Sequence, residues 1–73
     1  MRELITQGFV RWENLGELPC PIRLTFNDEG VNIKTEWENV LDNGEKAWFR
    51  AIGDEIRVPL TRKAAFEAAK GDA

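Results

Sequence analysis

The chain has 73 residues and a formal net charge of −3, with no histidine, no tyrosine and a single cysteine. A chain this short has room for one small core, so it reads as a single domain over residues 1–73. The composition removes the commonest general base and metal ligand, excludes an internal disulfide, and weighs against sequence-independent binding of nucleic acid.

The charge is uneven: residues 1–45 carry nine acids and four bases, residues 46–73 four acids and six bases. A partner could therefore meet an acidic or a basic face. No signal peptide and no apolar run of membrane-spanning length is visible, so a cytoplasmic location is expected.

Leu4 to Trp12 reads as a strand with apolar groups on both parities. Gly8 in its middle suggests a bulge or a close backbone approach. Glu13 to Pro21 reads as a loop punctuated by Gly16, Pro19 and Pro21, with Leu15 and Leu18 tucked onto the core. Ile22, Leu24 and Phe26 alternate with polar residues, the pattern of a half-buried strand.

The chain turns at Asn27 to Gly30. Val31, Ile33, Thr35 and Trp37 then alternate inward in the next strand. A tip at Asp28-Glu29 pairs Phe26 with Val31 and Leu24 with Ile33. At Asp42-Asn43-Gly44, a three-residue loop with a left-handed Gly44 pairs Trp37 with Phe49 and sets Glu36 beside Arg50. A two-residue turn would mix the faces.

Gly53-Asp54 lies between two apolar-rich runs, which is a two-residue hairpin signal. That hairpin pairs Arg50 with Arg57, Trp48 with Pro59 and Phe49 with Val58. It makes Glu45 to Ile52 a central strand. It leaves Leu4 to Trp12 to pair at an edge or with a second copy. Thr61 is a good N-cap for a short helix, with Ala65, Phe66 and Ala69 as one stripe and Lys63, Glu67 and Lys70 as the opposite one. Gly71 suits its C-terminal end. The expected architecture is α+β: an antiparallel β-meander of four to five strands with one short C-terminal helix packed on one face.

Chemistry is scarce. Cys20 between two prolines has no histidine to activate it, and reads as a small apolar residue in a rigid loop. Glu36 and Glu38 share a face but nothing marks a sugar groove. The acids at the turns lack the spacing of a calcium loop. No phosphate loop or dinucleotide fingerprint is present. No metal or cofactor is expected, and no catalysis.

The constellation with functional content is Lys46, Trp48, Arg50 and Arg57 on the polar face of the expected hairpin, with Trp12 as a second exposed aromatic. Tryptophan and arginine dominate protein–protein hot spots. They also stack and track single-stranded nucleic acid. The competing reading is internal: Glu36 neutralises Arg50, and arginine stems cover Trp48.

The sequence therefore points to a small non-enzymatic binding or inhibitor module that docks onto a larger protein. Size and lack of chemistry suit a viral or mobile-element accessory factor, of which anti-CRISPR proteins are one type. The alternative is a nucleic-acid-binding module using the Trp/Arg sheet face. A third reading has Glu36, Glu38, Asp42 and Glu45 imitating a phosphate backbone. The small core and the apolar first strand also favour a homodimer through Leu4 to Trp12.

Overall fold

Alternating apolar and polar residues build most of this chain into strands, and the computed structural model, which describes residues 1–71, shows five of them. They are β1 (Arg2–Trp12), β2 (Gly16–Phe26), β3 (Asn32–Val40), β4 (Lys46–Arg50) and β5 (Ile56–Arg57). A 3₁₀ turn at Gly53–Glu55 precedes β5, and α1 (Arg62–Gly71) follows it. All pairings are antiparallel, in the order β4-β3-β2-β1-β5. The α+β meander with a C-terminal helix is as expected. Among the described residues no helix is long and apolar enough to cross a membrane.

The β3–β4 register is the expected one. Trp37 faces Phe49, Glu36 faces Arg50, and Gly44 takes a φ of 86°. A residue with a side chain is strained there, which is why glycine closes this loop. The amide of Leu41 donates to the carbonyl of Glu45 at 2.7 Å just inside it. The burial expected with this register does not follow, because Phe49 remains 37% exposed.

The hairpin expected at Gly53-Asp54 does not form. A tight turn is present: the Glu55 amide donates to the Ile52 carbonyl at 3.4 Å, and the Glu55 carboxylate accepts from the Ile52 amide at 3.1 Å. Beyond it the chain leaves β4 and pairs with β1, Phe9 against Arg57 and Val10 against Ile56. Arg50 and Arg57 therefore lie on opposite edges of the sheet, and β4 is an edge strand, not a central one. Two terms favour this outcome. Ile56 and Val58 reach the core, and like charges are not placed directly opposite each other.

Two other boundaries move. The first turn is only Glu13 to Leu15, so Pro19 and Pro21 lie inside β2, opposite Phe9 and Gln7. Proline has no amide to donate, so it is tolerated where a strand has no neighbour on that side. The described β2–β3 pairing covers only Ile22 to Phe26, which leaves both prolines, paired with β1, without a strand partner on the β3 side. Leu15 and Leu18 are exposed, not tucked inward.

The β2–β3 register also differs. Leu24 faces Thr35, not Ile33, and Phe26 faces Asn32, not Val31, with Ile33 as an extra residue between paired positions. The cause is Asn27, whose side-chain oxygen accepts from the amides of Glu29 and Val31 at 2.9 and 3.0 Å. It thereby builds a longer turn than a tip at Asp28-Glu29 allows. Val31 and Ile33 are exposed as a result.

The core is Leu4, Val10, Ile22, Leu24 and Phe26 from the sheet with Ala65 and Ala69 from α1. Thr61 caps α1 through Oγ1, which accepts from the Ala64 amide at 3.1 Å. Phe66 meets Phe26 edge to face at 5.6 Å, while Lys63, Glu67 and Lys70 are exposed. Gly71 is still helical, and the residues after it lie outside those described. β5 pairs with β1 only at Phe9 and Val10, and α1 packs against the same strand, so part of the edge from Leu4 to Trp12 is covered by the chain itself.

Candidate docking surface

The outer sheet face carries Trp48, and an arginine does cover it, but not the expected one. The Arg23 guanidinium lies 4.6 Å from the Trp48 ring centroid. Its Nη2 and Nε contact Glu36 Oε1 at 2.8 and 2.9 Å. Lys34 Nζ adds a third approach to the same oxygen at 3.7 Å. Glu36 sits directly between Arg23 on β2 and Arg50 on β3's other neighbour, and Arg23 takes it. The sequence contained this signal: with the correct β2–β3 register, Arg23 faces Glu36. The same cluster interleaves bases with the acids, which removes support for a phosphate-mimicking face.

Arg57 belongs to a separate cluster. Its Nε contacts the two Glu17 carboxylate oxygens at 3.0 and 3.2 Å, and its guanidinium lies 4.4 Å above Phe9. The hydrogen bonds from Arg57 hold the Glu17 carboxyl below its ordinary range, and Glu17 in turn raises Arg57. The expected patch is thus divided. Lys46, Trp48 and Arg50 share β4, and Arg57 is across the sheet. Trp12 takes part in a different grouping.

That grouping is on the inner face. Trp12 and Trp37 meet at 5.7 Å and 89°, and Trp37 and Phe49 at 5.3 Å and 87°, each edge to face. The three rings form a row across β1, β3 and β4. Trp12 is 38% exposed and Phe49 37%, so the row is only partly covered by the chain's own residues. A separate groove of about 450 Å³, which none of the three rings lines, is bounded by Leu24, Ile33, Arg50, Val58, Leu60 and Arg62, among others. Among the described residues no carboxylate lies within 4 Å of Lys46, Arg50 or Arg62.

Cys20 lies near this row. Its thiol donates to the Glu38 carbonyl at 2.9 Å. One step beyond the last β2–β3 pair, Pro21 would face Glu38 and cannot donate to it, so the thiol takes the place of the missing amide. Burial pushes the thiol above its ordinary range. The reactive species is the thiolate, so iodoacetamide should alkylate folded Cys20 about tenfold more slowly than the urea-unfolded chain at mildly alkaline pH. Equal rates would show the thiol free. A raised folded value means this contribution to stability is complete below the unfolded value of about 8.5 and is lost as pH rises through the folded one.

The chain matches no known family, no curated protein and no solved structure. The functional reading therefore stands on this geometry.

Proposed function

We propose that this chain is a non-enzymatic docking module that binds a larger protein through the β3–β4 hairpin. The aromatic row of Trp12, Trp37 and Phe49 on the inner face is its apolar centre, and Lys46 and Arg50 project from the opposite face of β4, the strand whose Phe49 ends the row. The observation that carries the reading is the row itself: three touching rings that the chain's only described helix leaves partly open. Contiguous exposed apolar surface of this kind marks interaction sites, and tryptophan and arginine supply most hot spots. An inhibitory accessory role, of the kind mobile elements use against host machinery, is supported by small size and by the absence of histidine.

Trp12→Ala tests this. The ring is over a third exposed, so its loss should leave a cooperative melting transition. Affinity for the protein captured from source-cell lysate should fall by about 2 kcal/mol, or roughly 30-fold. Unchanged affinity would remove the row from the interface. Binding that depends steeply on salt, with no protein partner, would instead assign the surface to nucleic acid.

A further inference from the structure

Among the described residues, β4 has no strand partner along one whole side. Backbone hydrogen bonds alternate along an antiparallel strand, and the local pattern assigns the sides. Leu41 donates to Glu45 and Ala51 donates to Thr35, so odd-numbered β4 residues bond to β3. The amides and carbonyls of Lys46, Trp48 and Arg50 therefore point away from the sheet. Their side chains share the outer face, with a tryptophan between two cations.

We propose that this edge receives an extended acidic strand from the partner protein. The inference rests on the docking reading above and names how the partner engages the same hairpin. Strand addition uses main-chain hydrogen bonds for affinity and alternate side chains for selectivity. Here the selectivity is electrostatic. Lys46 and Arg50 are four positions apart, and no carboxylate lies within 4 Å of either among the described residues. Glu38 lies opposite Trp48 and makes no ion pair with them. An incoming strand with carboxylates at positions i and i+4 meets both cations and lays its middle residue over Trp48.

A second copy of this chain is a poor occupant. Two β4 edges related by a two-fold axis at Trp48 would set Lys46 of each against Arg50 of the other. Like charges opposite each other destabilise such a pair. Cations on an edge ordinarily prevent indiscriminate strand pairing. The same cations favour a strand of opposite charge.

The probe is a short capped peptide of β-branched residues with glutamates at i and i+4, and a control with lysines in their place. Amide exchange is followed by NMR on the ¹⁵N-labelled chain. The acidic peptide should slow exchange at Lys46, Trp48 and Arg50 by about tenfold at saturation, and the lysine peptide should not. Lys46→Glu combined with Arg50→Glu should reverse the preference. Three results would overturn strand addition: no protection of these amides by the acidic peptide, protection elsewhere only, or concentration-dependent protection without peptide, which would mean that a second copy occupies the edge. If the captured partner binds the double variant normally while losing affinity for Trp12→Ala, docking stands and strand addition falls.

Discussion

Phe26→Ala should leave most of the chain unfolded at 25 °C. Phe26 is 1% exposed and Ile22 is fully buried, and these are the largest side chains removed completely from water. Truncating a buried phenylalanine costs about 3–5 kcal/mol, part from lost transfer and part from the cavity left behind. A core in a chain of this size supplies roughly the same amount in total. The ring also carries the edge-to-face contact with Phe66, at 5.6 Å, that joins α1 to the sheet. Circular dichroism should therefore show loss of both helix and sheet signals, and Phe26→Leu should retain a cooperative transition at lower temperature. A destabilisation under about 1 kcal/mol in urea would show that the helix does not depend on this contact.

Gly8→Ala should destabilise the fold by about 1–3 kcal/mol, as overpacking does. The expectation from strand propensity alone has the opposite sign, because glycine within a strand is about 0.5–1 kcal/mol worse than alanine. Space decides between them. A Cβ at Gly8 would stand 2.6 Å from Ile22 Cγ1 and 2.9 Å from the Arg57 carbonyl oxygen. Ile22 is fully buried, with little room to turn away, and the second contact is backbone, so β1 must shift and with it the pairing to β5. That strand is held by only two residues, Ile56 and Arg57. The effect should therefore appear first as faster amide exchange at Phe9 and Arg57, with the β2–β3 amides less affected. A Gly8→Ala variant that melts higher than the parent would refute the close approach.

Gly8 also shows where sequence reading succeeds. A lone glycine in a strand suggested either a bulge or a close approach. The continuous β1–β2 register excludes the bulge, and the Ile22 contact supports the approach. The loop at Gly44, the Thr61 cap and the inward set Ile22, Leu24 and Phe26 were legible for the same reason. Each is determined by neighbours a few residues apart, through a left-handed φ, a side-chain oxygen near a free amide, or period-two alternation.

The misreading at Gly53 has the opposite property, whereas the β2–β3 register was missed on a local signal, the Asn27 turn. The Gly53 turn forms locally, yet which strand β5 joins depends on residues some 47 positions away in β1. Burial of Ile56 and Val58 and the separation of Arg50 from Arg57 favour that choice. The candidate site follows the same division. Lys46, Trp48 and Arg50 share β4 because a strand alternates. Arg57 left the patch, Arg23 entered it, and Trp12 joined Trp37 and Phe49 only when the sheet order was set. The sequence alone determined the α+β class, the inward set Ile22, Leu24 and Phe26, the capped helix and one hairpin register, because those follow from local sterics and alternation. Only the tertiary structure decided that Arg57 meets Glu17 and that the outer edge of β4 stays open, because those outcomes depend on β5 joining β1, a pairing of residues distant in sequence.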